Sequence, residues 1–289
     1  MSVALKCPVC CAETRVAFTK HGHDIHDCLA CSHRFARAVG SGHLADVYGD
    51  DYFFGGGDGY DDYLAEADLL RAQGRRYGTL LAKHMTTGRI LDVGSAAGFL
   101  QAGLEDAGWR TTGIEPNATM VAHAVQKLGL DASLGSLEDT QIDEAFDAVS
   151  LIQVVGHFFD LQKAMQSLTA LTRPGGLCLV EYWRRDSLAA RSLGRHWHEY
   201  SPPSVLHWYT RAGLDRVFAD AQFDLVESGA PKKYIASSHA KSLLAYKLAG
   251  YPAGKVMAGV VRALPMPKHL RYPAFDLEWR LYRRRGGPS

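Results

Sequence analysis

Two groups of residues in this chain have the types and spacing to do chemistry. The first is Cys7-Pro8-Val9-Cys10 with Cys28-Leu29-Ala30-Cys31, two C-x2-C pairs with 17 residues between them. Each pair turns tightly enough to aim two thiolates at one point, and two such turns close a tetrahedron around zinc at Zn–S distances of about 2.3 Å. Four thiolates leave no open position, so a metal here is expected to be structural. Cys11, His26 and His33 stand nearby and are expected not to ligate. Two disulfides would suit a secreted protein, and nothing in the sequence points to secretion. The second group is Asp92-Val93-Gly94-Ser95-Ala96-Ala97-Gly98, where an apolar run ends in an acid and small residues lead into a helical pattern. Glu115 closes the next strand pattern, 23 residues after Asp92. An acid at that place can take both hydroxyls of a ribose. The spacing differs from the G-x-G-x-x-G of dinucleotide folds, and no Lys-Ser/Thr follows, which excludes a P-loop.

The elements around these residues alternate. "RILDVG" predicts a strand and residues 97–107 a helix; "RTTGIEP" a strand and 117–128 a helix; "FDAVSLIQVV" (146–155) a buried strand and 161–172 a helix. "PGGLCLVEYW" (174–183) predicts a turn and a strand that buries Cys178, 203–221 a helix, and "DLVESGA" and "KYIASSHA" the last strands. Strand–helix alternation of this kind means an α/β fold with a doubly wound, Rossmann-like parallel sheet, whose ligands bind beyond the carboxyl ends of the strands. The expected organisation is a zinc ribbon at 1–40, a Tyr-rich linker with helices at 41–85, the main domain at 86–240 and a basic extension at 241–289.

With 289 residues, 47% of them hydrophobic, the chain can bury a full core. "MSVALKCPVC" lacks the apolar centre of a signal peptide and no long apolar run is present, so a cytoplasmic protein is expected. The net charge of +1 is unevenly placed: residues 231–289 hold 12 Lys and Arg against 2 Asp and Glu, on an otherwise acidic body. Such a tail suits peripheral contact with an anionic surface, or is simply a solvated basic face. Residues 243–264 read as an amphipathic helix and "YRRRGGPS" as disordered.

Four motifs in order resemble the class I S-adenosylmethionine-dependent methyltransferases: "LDVGSAAGFL", "GIEP", "FDAVSLIQVV" and "RPGGLCLVEYW". The resemblance covers about residues 60–240 and departs where the middle glycine of the first motif is Ala96. The resemblance implies S-adenosylmethionine as cofactor. Its methionine end would meet the backbone of Gly94, Ser95 and Gly98, with Asp92 orienting that loop. Glu115 and the adjoining Pro116 would hold the ribose. Leu137 with Ser136 or Glu138 would flank the adenine, and Gln153 and Val154 would sit beneath the sulfonium. Tyr60 and Tyr63 are candidate lids, since an aromatic face attracts a cation.

Methyl transfer needs alignment of donor and acceptor and often the removal of one proton. His157 follows the fourth strand of the pattern, where the family's acceptor-side residues lie, and imidazole is the usual base near neutral pH. It is the candidate base; otherwise it caps the next helix or packs. The loop "RHWHEYSPPSVLHWYT" (195–210) would overhang the acceptor, with His198, Glu199 and His207 as candidate substrate residues and the tryptophans as packing. The ribbon and Tyr-rich link resemble in part the sugar C-methyltransferases of deoxysugar pathways. The expected function is therefore methyl transfer to oxygen or carbon of a small molecule or glycan precursor. An RNA N-methyltransferase with an RNA-binding ribbon is the alternative. Against it, Lys6, Arg15 and Lys20 in the ribbon are matched by Glu13, Asp24 and Asp27, and no Asn/Asp-Pro-Pro-Tyr/Phe motif follows the fourth strand. A catalytically silent binding module is the third reading.

Overall fold

The structure, a computed structural model, describes residues 5–37, 47–54, 63–232, 234–237, 241, 259–261, 266–267, 269–271 and 274–286. Three short strands open it: β1 (Thr14–Lys20), β2 (His23–Cys28) and β3 (Arg34–Ala36). A short helix α1 (Asp50–Phe54), a 3-10 turn (Tyr63–Glu66) and helix α2 (Ala67–Leu81) lead into the main sheet. There the alternation read from the sequence holds: β4 (Arg89–Val93), α3 (Phe99–Asp106), β5 (Arg110–Glu115), α4 (Ala118–Leu128), β6 (Ala132–Leu134), β7 (Phe146–Ile152), α5 (Leu161–Leu171) and β8 (Thr172–Trp183). The strands β4, β7 and β8 are buried along nearly their whole length. That is the mark of a parallel sheet covered by helices on both faces. Local signals set the helix ends: Asn117 and Asp160 accept the N–H of Met120 and Lys163 as N-caps, and Gly129 ends α4 in the left-handed region.

The remaining elements are α6 (Leu188–Leu193), β9 (His207–Trp208), α7 (Arg211–Asp220), β10 (Phe223–Gly229), β11 (Tyr234–Ala236), β12 (His269–Arg271) and β13 (Leu277–Arg284). The main sheet has the order β10-β13-β8-β7-β4-β5-β6, parallel except for β13, which runs antiparallel to both of its neighbours. The chain leaves β4 toward β5 and β6, then returns to β7 on the other side. The crevice at the carboxyl ends of β4 and β7 is therefore the switch point where ligands bind in such sheets. One core lies under α5 and α7, around Phe146, Leu168, Phe218 and Tyr282; a second lies under α2 and α3, around Tyr77, Leu104 and Trp109.

Four expectations are corrected here. The division at residue 240 fails, because β13 of the supposed extension fills the slot between β8 and β10. "YRRR" belongs to that strand up to Arg284: Leu281 and Tyr282 are buried, Arg283 donates to the carbonyl of Gly175, and Arg280 pairs with Glu278. A charge run that reads as solvated is here a paired edge of the core. The strand in "KYIASSHA" pairs only with β12 in a separate two-stranded sheet. The helix expected over 203–221 shrinks to α7, capped by Thr210, because 207–208 form β9 and extend the ribbon sheet as β1-β2-β3-β9. Of residues 243–264, only 259–261 are among those described. Among the described residues, no helix is long and apolar enough to cross a membrane.

Candidate active site

The crevice is lined from below by Asp92, Gly94, Ser95 and Ala96, by Glu115 and Pro116, by Ser136, Leu137 and Glu138, and by Gln153, Val154 and His157. Tyr48, Tyr52, Phe53, Tyr63 and Gln73 cover it from the N-terminal segment. Nine of the ten residues expected to meet the cofactor thus share one cavity. The exception is Gly98, the left-handed N-cap of α3. A Cβ there would stand 2.6 Å from Leu130 and 2.9 Å from Ala124, so Gly98 serves helix packing and not the crevice. Tyr60 lies outside the described residues.

The loop after β4 is held by the end of β5. Gly94 and Ser95 donate N–H groups to the carbonyl of Ile114 at 2.8 and 3.1 Å. A Cβ on Gly94, at φ +67°, would meet Val154 at 2.7 Å, so only glycine fits. Ala96 occupies the left-handed region at φ +46°, the conformation that explains a glycine elsewhere in the family. Its N–H donates 3.0 Å to one oxygen of Glu115, while Asn117 N–H donates 2.9 Å to the other. Burial pushes the Glu115 carboxyl up to about 7 despite these two bonds. Burial likewise pushes Asp92 up to about 7, although Ser150 donates to it at 2.6 Å. Each Glu115 oxygen keeps a lone pair beyond the N–H it accepts. The Ser136 hydroxyl in the wall near Leu137 is buried without a protein partner. A ligand with neighbouring hydroxyls and an aromatic ring fits this donor set.

His157 stands at the acceptor side. Its Nδ1 lies 2.8 Å from the carbonyl oxygen of Ser204 and 2.8 Å from the Tyr48 hydroxyl. A carbonyl only accepts, so Nδ1 carries the proton and the lone pair of the neutral ring sits on Nε2. Tyr48 is itself fixed by its hydroxyl on Ser204 O at 2.7 Å and by Asn117 Nδ2 on its own carbonyl at 2.9 Å.

The sequence reading did not find Glu181, which is fully buried on β8. It accepts from Gln73 Nε2 at 2.9 Å, from Gln153 Nε2 at 2.8 Å and from the Tyr77 hydroxyl. Gln153 sits at φ +59°, and its Oε1 accepts from Trp183 Nε1 at 3.3 Å. The Gln153 amide is therefore committed to the scaffold on both sides. The period of β8 places Glu181 inward, yet an acid in an apolar strand gives no sign in the sequence of what will neutralise it.

The loop 195–210 reaches the crevice through the carbonyl of Ser204, which bonds Tyr48 and His157, and not through the three residues expected to meet a substrate. His198 packs edge-on against Trp183 at 4.9 Å and pairs with Glu199 at 3.4 Å, and neither lines the cavity. His207 is not among the residues that line the crevice. It is buried in β9 beside the ribbon, its Nδ1 3.1 Å from His33 Nε2, and burial lowers its pKa to about 4. Trp197 and Trp208 pack the same junction with Ile25 and Tyr200, as expected of them.

The four cysteine sulfurs gather at the ribbon tip, all within 4.8 Å of one another, with Cys7–Cys31 at 3.6 Å and Cys10–Cys28 at 3.4 Å. A tetrahedral ion about 2.3 Å from each sulfur requires edges of about 3.8 Å. Cys11 and Ser32, one residue beyond each pair, take left-handed φ values of 57° and 59° and close the two turns. N–H groups of Val9, Ala30 and Cys31 point at the sulfurs of Cys7 and Cys28. Burial raises the Cys28 thiol, but those N–H groups and Cys10 outweigh it and bring the group down to about 6. Cys11 is exposed and Cys178 is plain core.

Sheet order, switch-point crevice and loop define a class I S-adenosylmethionine-dependent methyltransferase fold. The chain belongs to the Methyltransferase domain family, whose sequence model matches residues 55–228. It is similar to the ubiquinone biosynthesis O-methyltransferase of Nitrobacter winogradskyi, 29% identical over 133 residues, 44% of this chain and 47% of that protein. The Bradyrhizobium sp. (strain ORS 278) protein of the same name is 31% identical over 130 residues, 43% of this chain and 49% of that one. The chain thus spans about half the length of the curated relatives it matches. Among solved structures, YcgJ of Bacillus subtilis shares the fold at TM-score 0.52 and 15% identity, covering 74% of this chain and 99% of that one. The [4+2]-cyclase SpnF shares it at TM-score 0.50 and 21% identity, covering 74% and 81%.

Proposed function

We propose that this protein transfers a methyl group from S-adenosylmethionine to an oxygen or carbon of a small molecule or glycan precursor, with His157 as the base. The observation that carries this is the His157 ring, which lines the same crevice as Gly94 and Glu115 and whose Nδ1 is held by the carbonyl of Ser204. When bound, the cofactor supplies a methyl carbon already activated by a sulfonium. Glu115 would hold the ribose hydroxyls, Leu137 and Ser136 the adenine, and the backbone of Gly94 and Ser95 the amino-acid end. Gln153 and Val154 would form the floor, with Gln153 braced by Glu181. Tyr48, Tyr52 and Tyr63 would exclude water from above. His157 Nε2 would take the acceptor's proton as the new bond forms. The relatives' name, O-methyltransferase, supports oxygen as the first acceptor to try.

The four cysteines would hold a structural zinc ion, since four thiolates fill its coordination. The alternative of RNA methylation gains no support from the ribbon. Its Arg34 is spent on Asp27 and Tyr200, and its Lys20 reaches the carbonyls of Arg195 and Trp197. The test is turnover of S-adenosylmethionine against catechols, phenols and sugars, with wild type and His157→Gln. The variant should bind cofactor within about threefold of wild type and lose turnover by about 10²–10⁴-fold. Equal turnover would remove His157 from the chemistry.

A further inference from the structure

No residue of the ribbon is among those lining the crevice, yet through β9, which pairs with ribbon strand β3, hydrogen bonds join the ribbon to the loop that carries His157. Cys28 N–H donates to the carbonyl of His33 at 2.9 Å. His33 Nε2 meets His207 Nδ1 at 3.1 Å, a contact that needs one nitrogen to donate and the other to accept; His33 Nε2–H donating to His207 Nδ1 is the arrangement tested below. The backbone repeats the link. Leu206 and His207 both donate N–H to the carbonyl of Gly156, at 2.8 and 2.9 Å, and Ala36 donates to Leu206 O at 2.8 Å. Ser204, whose carbonyl fixes His157 Nδ1, lies in the same strip. Residues 156–157 are thus gripped by 204–207, and 204–207 by the ribbon strand β3. The loop after β4 and Glu115, at the cofactor end, are held by Ile114, Asn117 and Ala96, and reach that strip through more steps, Asn117 Nδ2 donating to the carbonyl of Tyr48, whose hydroxyl donates to Ser204 O.

We infer that His33 and His207 are positioning residues, a buried pair through which the ribbon sets the direction of the His157 ring and so governs the acceptor half of the site but not the cofactor half. The inference rests on the proposed role of His157. A ring displaced by about 1 Å costs on the order of 10²-fold in a reaction that depends on alignment, while the cofactor's own contacts are unmoved.

Two variants separate positioning from general stability. His33→Leu fills the space but removes the donor, whereas His33→Gln keeps an Nε2 donor for His207 Nδ1. The readouts are the ¹⁵N resonances of the His157 ring, assigned by their loss in His157→Gln, the affinity for S-adenosylhomocysteine by calorimetry, and turnover. Expected in His33→Leu are displaced His157 resonances, turnover down about tenfold or more, and affinity within about threefold of wild type. His33→Gln should restore resonances and turnover to near wild type. Unchanged His157 resonances in His33→Leu, equal damage in both variants, or affinity falling in parallel with turnover would overturn the inference. Should His33→Leu not fold, His207→Leu removes the acceptor for His33 instead; it must displace the same resonances or the inference fails. The resonances need no methyl acceptor, so they decide this point even if wild type transfers no methyl group.

Discussion

Cofactor affinity should rise about tenfold between pH 6 and pH 8, and Glu115 should be the reason. In the ligand-free protein its carboxyl is pushed up to about 7, mainly by burial, with the neighbouring Asp92 adding to the rise and the N–H groups of Asn117 and Ala96 opposing it. A carboxyl near 7 is ionised about one-tenth at pH 6 and about nine-tenths at pH 8. Ribose hydroxyls donate best to the ionised form, and hydrogen bonds to charged groups contribute about 1.5–3 kcal/mol each. Binding therefore selects the carboxylate, and the apparent Kd falls as the ionised fraction grows. At pH 7 about half a proton should leave on binding. Calorimetric titration with S-adenosylmethionine at pH 6, 7 and 8, repeated in two buffers of different ionisation enthalpy, measures both quantities. Glu115→Gln should bind at least tenfold more weakly at pH 8 and show a flat profile. Asp92→Asn should keep the slope. A flat wild-type profile, or the wild-type slope surviving in Glu115→Gln, would refute the reasoning. The same raised pKa has a sign for stability. The stabilisation of the protonated carboxyl is full below the unfolded value of 4.5 and is lost as pH rises through about 7, so ligand-free protein should melt lower at pH 8 than at pH 6.

Three further outcomes follow from named contacts. Gly94→Ala drives a Cβ against Val154 and forces an L-residue to φ +67°, so it should cost about 1–2 kcal/mol in denaturant melts and weaken cofactor binding more than tenfold; wild-type affinity would show the loop is not where the cofactor lies. Truncation before Leu277 removes the strand between β8 and β10 with its buried Leu281 and Tyr282 and uncovers Phe218, so the product should lose near-ultraviolet circular dichroism, whereas a dispensable tail would leave the spectrum intact. Chelation should release one zinc per chain, make four further thiols reactive and lower the melting temperature by several degrees; metal-free protein with the same melting curve would show that the four cysteines are not a folding element.

Much of the site was readable because its chemistry is local. Glycine at 94, an acid at 92, an acid closing the next strand at 115 and two C-x2-C turns each sit at a fixed offset within one turn or one strand. The short-range geometry that makes them useful is therefore written in consecutive residues. Gly98 shows the limit of that reading: its place in the loop is local, but what fills the missing side chain's space is Leu130 and Ala124, about thirty residues on. Glu181 was invisible for the same reason, since its three donors come from α2 and from the turn after β7.

The sequence by itself determined the alternating fold, the loop, the acid that closes β5 and the thiol cluster, because hydrophobic period and turn chemistry act over a few residues. Only the tertiary structure decided that the basic tail returns as β13. The pairing of Arg280 with Asp215 and the stacking of Tyr282 on Phe218 at 4.1 Å exist only once distant elements meet. Only it decided that His207 faces the ribbon and His157 the crevice. Both are histidines in polar, aromatic loops; what separates them is that His207 pairs into the ribbon sheet as half of the two-residue strand β9 while His157 follows β7, and a strand that short has no period of its own to read.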